Sequence, residues 1–412
     1  MSFQQGLSGL NAASKELDVV GNNIANSSVV GFKSARTEFA DMFAASLTGT
    51  GTTEVGIGTR VAAINQQFTQ GTISSTSNPL DVAINGKGFF RMAQNGVVTY
   101  SRNGQFHFDE QGFLVNSGQL RVTGYGADTN GNIIATLPSD IKIVTADVAP
   151  QKSTSLLVGA NLDSRDLAPP TATFSMTDPT SYNNSTSASV FDSLGNSHTF
   201  SMYFVKTATA GRWNAYASAD GGALANVNLG AGAGNPLVLD FNSSGKLTTT
   251  MPATSAVTLS NGAASPLSFA LDFATSTQFG SAFSVNALTQ DGFASGRLSG
   301  LNVSEDGVIQ GRYSNGQSKD LAQIVLVDFA DPQGLQPLGS GQWAATSSSG
   351  QPLIGVPGSS VLGVLQSSAV EDSNVDLTSE LVNLITAQRT YQANAQTIKT
   401  QDEVLQTLVN LR

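Results

Sequence analysis

Residues 376–412 read DLTSELVNLITAQRTYQANAQTIKTQDEVLQTLVNLR, and this stretch indicates one long α-helix. Its apolar and small residues recur in alternating steps of four and three, the heptad pattern of helices that pack lengthwise against other helices. Neither glycine nor proline occurs between Glu371 and Arg412, and Asp376 is a suitable N-cap for the first turn. The pattern predicts a helix of about 35 residues, about 50 Å long at a rise of about 1.5 Å per residue. Its large apolar positions are Leu377, Leu381, Leu384, Tyr391, Ile398, Leu405 and Val409.

The first 25 residues show the same pattern over a shorter length. The apolar positions at these steps are Phe3, Leu7, Leu10, Leu17 and Ile24. The pattern stops there, because Asn26-Ser27-Ser28 and Gly31 favour a turn. The sequence therefore predicts an α-helix near each end of the chain, and the C-terminal helix is the longer one.

Between the two predicted helices the sequence favours β-strands joined by tight turns. Short runs rich in β-branched and aromatic residues fill residues 79–125 and 292–343. Each is interrupted by pairs that end in glycine, which supplies the positive φ that hairpin turns need. The run Ile324-Val325-Leu326-Val327 predicts a buried strand. The predicted turn pairs are Asn95-Gly96, Asn103-Gly104, Gln111-Gly112, Ser117-Gly118, Asp306-Gly307 and Asn315-Gly316.

Residues 146–284 indicate a second β-domain inserted into the first. This part opens with proline-containing stretches and is poor in charge but rich in Ser, Thr, Ala and Gly. The predicted fold class is mostly β with terminal α-helices, with one β-domain nested in another. The predicted segments are a terminal helical assembly domain at 1–28 and 371–412, a connecting segment at 29–70 and 356–370, a discontinuous β-domain at 71–145 and 285–355, and the inserted outer β-domain at 146–284.

The composition excludes several classes of protein. Of the 412 residues 12% are charged, about half the usual share, and the formal net charge is -10. There is no basic run or stripe, so binding to nucleic acid is not expected. The absence of cysteine removes disulfides, thiolate metal sites and thiol nucleophiles. A weakly charged surface is easily buried against copies of itself, because little ionic desolvation is required.

No constellation of catalytic or metal-binding residues stands out. The two histidines, His107 and His198, fall in separate predicted domains, and a surface or strand position is the simplest interpretation of each. Residues 128–132 resemble the start of a calcium loop, but the twelfth position is Ser139 rather than Glu. We interpret them as a turn, with weak calcium binding near Asp128 as the alternative. The sequence therefore predicts neither an enzyme nor a bound cofactor.

Two pairs of motifs occupy the ends of the chain. The N-terminal motifs are LDVVGNNIAN at 17–26 and GFK at 31–33, and the C-terminal motifs are SNVDL at 373–377 and AQRTYQAN at 387–394. These motifs closely resemble the terminal signatures of the axial proteins of the bacterial flagellum, which form its rod, its hook and the hook–filament junction.

The interior of the chain extends this resemblance. The motifs LDVAI at 80–84, GFF at 88–90 and YSRNGQF at 100–106 resemble the β-domain of hook and distal-rod proteins. The central motifs at 190–196 and 203–206 are similar to the large domain that hook proteins carry and that the shorter distal-rod proteins lack. The chain is therefore identified as a member of the hook group within the axial family.

The resemblance implies a structural subunit of the flagellar hook, which is a curved, flexible tube that links rod to filament and transmits motor torque. It implies an extracellular location, reached in the unfolded state through the flagellar type III apparatus. No cleaved signal is expected, and the first residues lack the charged and apolar regions of a secretory signal. The implied partners are other copies of the chain, the distal rod protein, the hook cap protein, the hook–filament junction protein and the export apparatus. Membrane insertion is not expected, because no apolar run is long enough.

We expect the apolar stripes of the two helices to carry assembly. One alternative is that the helices pair only with each other inside one subunit. The asparagines of the N-terminal motif could bond across subunits, or they could simply close the end of the helix. The predicted assembly residues are Phe3, Leu7, Leu10, Leu17, Asn22, Asn23, Ile24, Asn26, Leu377, Leu381, Leu384, Tyr391, Ile398, Leu405 and Leu408.

Other functions remain open at this point. A distal rod protein shares the same terminal motifs. A secreted β-domain adhesin would need an aromatic binding platform, and the only tryptophans, Trp213 and Trp343, lie in different regions without an evident aromatic cluster. A hydrolase would need a catalytic constellation that the sequence does not display.

Overall fold

The computed structural model describes the chain in four stretches, residues 2–42, 56–129, 131–144 and 146–410. Within them, the side chains of Ser2 and of residues 408–410 are not described. Some predictions therefore lie wholly or partly outside the described residues. They concern part of the connecting segment, Asn130 in the calcium-like turn and the side chains of Leu408 and Val409.

Two α-helices, α1 (Ser2–Ala25) and α2 (Leu377–Asn410), lie near the two ends of the chain, as the sequence predicts. The predicted N-cap of α2 is confirmed. Asp376 Oδ1 accepts hydrogen bonds from the backbone N–H groups of Thr378 at 2.9 Å and Ser379 at 3.2 Å. Glu380 places a negative charge in the first turn, where the helix dipole favours it.

The chain divides into two compact units. Unit 1 comprises Met1–Thr145, Gly300–Arg312 and Ser318–Arg412, and unit 2 comprises Ala146–Ser299 and Tyr313–Gln317. The predicted fold class, mostly β with terminal α-helices, is confirmed.

The strands follow one another along the chain in the order of their numbers. The first ten are β1 (Ala35–Met42), β2 (Gly58–Gln66), β3 (Ile73–Ser75), β4 (Val82–Asn85), β5 (Phe89–Gln94), β6 (Val97–Ser101), β7 (Phe106–Phe108), β8 (Leu114–Asn116), β9 (Arg121–Gly126) and β10 (Ser139–Asp140). The next nine are β11 (Ser155–Asn161), β12 (Asn184–Phe191), β13 (Ser197–Lys206), β14 (Arg212–Ala219), β15 (Val227–Asn228), β16 (Leu237–Asp240), β17 (Ala253–Val257), β18 (Leu267–Asp272) and β19 (Ser284–Gln290). The last nine are β20 (Leu298–Val303), β21 (Val308–Tyr313), β22 (Ser318–Ile324), β23 (Leu326–Asp328), β24 (Gln336–Gly339), β25 (Gln342–Ala344), β26 (Leu353–Gly355), β27 (Val364–Ser367) and β28 (Ala369–Glu371).

Most strands outside unit 2 form one 13-stranded sheet with the central order β20-β21-β22-β9-β5-β6-β25-β24. Beside it, β1 and β2 form an antiparallel hairpin. Strand β27 pairs with β4, and β28 pairs with β3, in both cases antiparallel. These two pairs bring the segment that precedes α2 against the segment that follows the β1–β2 hairpin.

Five of the six predicted turn pairs lie between neighbouring strands. At the β5–β6 hairpin, Asn95 and Gly96 have φ values of 50° and 84°. The prediction is wrong for Asn103-Gly104, which joins no hairpin. Gly104 packs against the backbone of Val82, and a Cβ at position 104 would lie 1.8 Å from the Val82 carbonyl oxygen. Glycine is needed there for a close backbone approach.

The predicted buried run at 324–327 is fully buried, but it is divided between two strands. Ile324 ends β22 and Leu326 begins β23, and both enter the main core of unit 1 beside Phe90 and Met92. Val327 points into a second core rich in aromatic side chains. That core is formed by Phe89, Tyr100, Val327, Phe329, Leu335 and Trp343.

Unit 2 is a two-layer β-sandwich. Its sheets have the orders β15-β17-β18-β11-β19 and β12-β13-β14-β16. On β13 the side chains of Phe200, Met202 and Phe204 alternate inward, and they share one core with Leu156 of β11. The two sheets bury one face against each other, and strands β13 and β14 show this most clearly, because buried apolar residues alternate along them with more exposed ones.

The boundary that the sequence analysis places at 284 falls inside unit 2. Ser284 begins β19, which pairs with β11 from Ser284↔Asn161 to Gln290↔Leu156. Strand β19 is an edge strand with no fully buried residue, so it gives no alternating signal in the sequence. The assignment of separate roles to the four predicted segments stays a prediction.

Candidate functional site

Helices α1 and α2 run antiparallel along a seam of small residues. A Cβ at Gly6 would lie 3.0 Å from Ile398 Cγ1, and a Cβ at Gly9 would lie 2.7 Å from Asn394 Oδ1. Glycine therefore permits a close approach of the two helices. Since Gly6 lies opposite Ile398, the turns of α2 from Asp402 onward extend beyond Ser2, the first described residue of α1.

Much of the predicted apolar stripe lies on the surface of unit 1. The exposed members are Phe3, Leu7, Leu377, Leu381, Tyr391 and Leu405. The half-buried members are Leu10, Leu17, Ile24, Leu384 and Ile398. The helices do pair with each other, but their seam uses mainly the small residues and leaves these larger side chains partly or largely open to solvent.

The stripe changes direction along α2. A helix with 3.6 residues per turn drifts by about 20° per heptad relative to a seam of period 3.5. Leu381, near the start of the helix, is consequently 45% exposed, whereas Ile398, near its end, contacts α1 at Gly6. The heptad template missed further exposed apolar side chains, among them Val382 and Ile385. These two side chains are three residues apart and therefore lie on one face of the helix. A search with the helical period of about 3.6 residues would have found them.

The three predicted asparagines have different environments. Asn23 is buried, and its side chain accepts a hydrogen bond from Ala35 N at 2.9 Å and donates one to Ala35 O at 2.8 Å. Asn26 Nδ2 donates to Asn22 O at 2.9 Å and closes the end of α1. Asn22 itself is exposed. Two of the three side chains are therefore engaged within the chain.

A buried ionic cluster joins the two ends of unit 1. Lys33 Nζ lies 2.5 Å from Glu371 Oε1, and Arg102 Nη1 lies 3.3 Å from Glu371 Oε2. All three side chains are buried. In the sequence, Lys33 and Arg102 stand out only as members of motifs. Their common partner Glu371 was not predicted, because it lies 338 residues from Lys33.

Backbone groups complete this cluster. Lys33 Nζ donates to Thr69 O at 2.7 Å, and Arg102 Nη2 donates to Gly86 O at 2.9 Å. Burial lowers the pKa of both Lys33 and Arg102, while the carboxylate of Glu371 opposes this shift. The carboxylate thus compensates two cations that would otherwise be uncompensated in a buried environment.

Family models match four segments that together cover most of the chain. The matches are residues 3–33 to "Flagella basal body rod protein", 83–161 to "Flagellar hook protein FlgE/F/G D1 domain", 161–293 to "Flagellar basal body protein FlaE D2 domain" and 366–411 to "Flagellar basal body rod FlgEFG protein C-terminal". The flagellar hook protein FlgE of Escherichia coli (strain K12) is 45% identical over 418 residues, which cover 100% of both chains. The chain belongs to the flagellar hook protein family.

More distant hook proteins agree with this assignment. The flagellar hook protein FlgE of Borreliella burgdorferi (strain ATCC 35210 / DSM 4680 / CIP 102532 / B31) is 34% identical over 455 residues, covering 100% of this chain and 99% of that protein. The crystal structure of Helicobacter pylori flagellar hook protein FlgE2 is similar in fold, with a TM-score of 0.50. It is 13% identical in sequence and covers 72% of this chain and 100% of its own.

The chain is thus a structural subunit of the flagellar hook. The alternative of a distal rod protein is not favoured, because hook proteins match over the full length, including the central residues. No helix within the four described stretches combines the length and the hydropathy needed to cross a membrane.

The two histidines of this hook protein differ in environment. His107 is exposed and lies 3.5 Å from Gln119 Nε2. His198 is buried in unit 2, with Nδ1 2.6 Å from Asp220 Oδ2 and Nε2 3.2 Å from Asp192 Oδ2. Burial alone would lower the pKa of His198, but the hydrogen bonds to the two carboxylates outweigh it and raise that pKa. When protonated, the imidazole of His198 links the β12–β13 turn, through Asp192, to Asp220 at the end of β14.

We expect unit 2 to lose stability as the pH rises through the raised pKa of His198. The contribution of the imidazolium is complete below the ordinary pKa of about 6.5 and is lost above the folded-state pKa. The urea midpoint of unit 2, followed by the 19F signal of fluorotryptophan at Trp213, should fall as the pH is raised above the ordinary histidine pKa of about 6.5. His198→Gln should remove most of this dependence, whereas the control His107→Gln should retain it. An unchanged dependence in His198→Gln would contradict the assignment.

The statement that neither tryptophan lies in an aromatic cluster is wrong for Trp343. Its ring centroid lies 5.6 Å from those of Phe68 and Phe89, and Nε1 donates to Gln66 Oε1 at 2.6 Å. Trp343 is buried, so this cluster is a core rather than a binding platform. Phe68 packs on strands that are distant from it in the sequence. The local sequence pattern therefore does not predict this cluster.

The calcium-like segment forms the predicted turn. Asp128 Oδ1 accepts a hydrogen bond from Asn132 N at 2.8 Å, and Oδ2 accepts one from Asn132 Nδ2 at 3.1 Å. Within the described stretches, no group of three or more His, Cys, Asp or Glu side chains is arranged to hold a metal ion.

Proposed function

We propose that the chain polymerises through the exposed apolar faces of α1 and α2 into a curved, flexible tube. This tube links the rod to the filament and transmits motor torque. The observation that carries the proposal is the exposure of large apolar side chains along α2, with Leu377, Leu381 and Ile385 each about half exposed. Contiguous apolar surface of this kind is unusual on a monomer and is typical of an interaction surface.

The arrangement of the helices supports an open polymer. Helix α1 covers the small-residue side of α2 and leaves the face with Leu381 free. The overhang of α2 beyond Ser2 gives Leu405 no cover from α1. A contact between different faces of identical subunits, repeated with rotation and rise, generates a helical tube. The proposed assembly residues remain the fifteen named from the sequence, to which Val382 and Ile385 are added.

We propose that unit 2 supplies contacts that slide when the tube bends. On each turn of a curved tube, neighbouring subunits approach on the inner side and separate on the outer side. Interlocked apolar packing would resist this motion, whereas wet polar contacts rearrange at low energy. The core of unit 2 is closed between its two sheets, and the strands turn polar side chains such as Ser185, Ser187 and Ser189 outward.

The remaining parts of the proposal concern partners and location. The partners are the distal rod protein, the hook cap protein during assembly, the hook–filament junction protein and the flagellar type III export apparatus. The subunit is exported without a cleaved signal and acts outside the cell. It is not an enzyme, and the buried carboxylate of Glu371 is occupied by Lys33, Arg102 and the Gly71 N–H rather than open to a substrate.

Electron microscopy of the purified chain at raised salt tests this function. We expect curved tubes, because salt screens the net charge of -10. A variant in which a Gly/Ser linker replaces residues 146–299 should still form tubes but lose the regular curvature. Regularly curved tubes from this variant would exclude the sliding role of unit 2, and failure of the full chain to polymerise would exclude the assembly role.

A further inference from the structure

A polar cleft lies in unit 1 between α1, β1 and the start of α2. Its volume is about 560 Å³. Glu16 and Asn23 line it from α1, Arg36 and Thr37 from β1, and Glu380 and Asn383 from α2. Of these six residues, only Asn23 belongs to the proposed assembly residues.

Two acceptors in this cleft lack hydrogen-bond partners. Glu380 Oε2 and Thr37 Oγ1 are shielded from solvent, and neither forms a hydrogen bond within the described chain. Buried polar atoms are rarely left without a partner, because an unmade hydrogen bond destabilises the fold. Because both residues line the cleft, a rotation of either side chain would bring its oxygen to a donor that enters the cleft from outside the chain.

The charges around Glu380 favour a cationic donor. Burial raises the pKa of Glu380, hydrogen bonds from Asn23 and Asn383 oppose the shift, and the negative charge of Asp376 adds to it. Glu16 brings a second carboxylate to the cleft, and Arg36 is the one cation among its lining residues. Arg36 is exposed and makes no ion pair with the described residues.

Helix α2 carries two exposed cations without a partner in the described chain, Arg389 and Lys399. Lys15 of α1 is already paired with Asp18 at 3.1 Å. An arginine suits the cleft better than a lysine, because its planar guanidinium has five donors and can serve two separate acceptors. Arg389 also lies four residues after Ile385, on the exposed apolar side of the helix.

Arg389 cannot reach Glu380 of its own chain. The two residues are nine positions apart on one helix, about 13.5 Å along its axis and about half a turn apart around it. The guanidinium therefore points away from the cleft of the same molecule. A pairing between them requires two molecules.

We propose that the cleft accepts the guanidinium of Arg389 from a second copy of this chain, which binds Glu380 Oε2 and Thr37 Oγ1. The inference rests on the proposed polymerisation and adds a polar contact to it. The contact is heterologous, because it joins the cleft of one copy to the α2 surface of the next, and such contacts extend into an open polymer. It also sets the register of neighbouring helices, which apolar side chains alone specify weakly.

A double-mutant cycle in polymerisation tests this pairing. We expect Glu380→Gln and Arg389→Gln each to raise the critical concentration about tenfold, since each leaves a charged partner uncompensated in the interface. The double variant should assemble like either single variant, because one contact is lost only once. Circular dichroism melting of the monomers checks that both substitutions leave the fold intact.

Two matched controls separate the alternatives. Lys399→Gln removes the other free cation of α2. Its critical concentration for polymerisation should stay within about twofold of that of the unaltered chain. Arg36→Gln removes the cation inside the cleft. Its effect on the critical concentration should simply add to that of Glu380→Gln. Additive effects of Glu380→Gln and Arg389→Gln, or coupling of Glu380→Gln to Lys399→Gln or Arg36→Gln, would overturn the pairing. If the unaltered chain fails to polymerise, the proposed function fails first and the pairing with it.

Discussion

Glutamine in place of Glu371 is expected to lower the free energy of unfolding of unit 1 by about 3–5 kcal/mol. The carboxylate lies within 3.3 Å of both Lys33 and Arg102. Glutamine has nearly the same size, so the substitution removes the negative charge without opening a cavity. Two buried cations are then left without a counter-charge. Few single substitutions lower the free energy of unfolding by as much as one that leaves buried charges unpaired.

The two tryptophans allow this effect to be assigned to one unit. Trp343 lies in unit 1 and Trp213 in unit 2, so fluorotryptophan gives one 19F signal for each. In a urea titration of Glu371→Gln, the unfolding midpoint reported by the Trp343 signal should fall. The midpoint reported by the Trp213 signal should change little. Glu305→Gln is the matched control, because Glu305 is an exposed glutamate of unit 1. Equal unfolding midpoints for the two variants would refute the structural role of the cluster.

Aspartate in place of Leu381 is expected to abolish polymerisation without unfolding the monomer. Leu381 is 45% exposed in the single chain, so the substitution leaves no deep cavity. In the polymer the new carboxylate would be buried against apolar side chains of a neighbour. A penalty of about 3 kcal/mol per contact corresponds to a rise of more than about a hundredfold in critical concentration. Sedimentation at raised salt, with circular dichroism melting of the monomer, measures both quantities.

The control for Leu381→Asp is Thr390→Asp on the same helix. Thr390 is exposed and lies nine residues on, about half a turn around α2 from Leu381. It receives the same charge on a face that carries threonines, including Thr386 and Thr397. Thr390→Asp should polymerise almost normally. Equal loss of assembly in both variants would attribute the effect to charge alone, and normal assembly of Leu381→Asp would exclude the apolar face as the contact.

The sequence predicted those features that depend on neighbouring residues. The start of α2 at Leu377 followed from Asp376, because an N-cap acts within one turn. The Asn95-Gly96 hairpin followed from the positive φ that this pair tolerates. The terminal motifs indicated the family, and the similarity to hook proteins extends over the whole length of the chain.

The features that the sequence could not reveal depend on residues far apart in the chain. Lysine is rarely buried, so nothing near Lys33 indicates that a glutamate 338 positions later will cover it. The sequence does not reveal which side of α2 is covered by α1, for a related reason. Glycine carries no hydrophobic signal, yet Gly6 and Gly9 determine which side of α2 is covered. The cleft at Glu380 likewise forms only when α1, β1 and α2 meet.

The separation of Lys33 and Glu371 also determines the order in which the chain can fold. Unit 2 is almost continuous from Ala146 to Ser299, so it can reach its final structure from sequence already present in that part. Unit 1 cannot neutralise Lys33 until residue 371 has arrived, and contacts between distant residues form slowly. The sandwich can therefore form before unit 1, whichever end of the chain is available first. The proposed assembly helices lie in unit 1, so association through them is expected only once the whole chain is present.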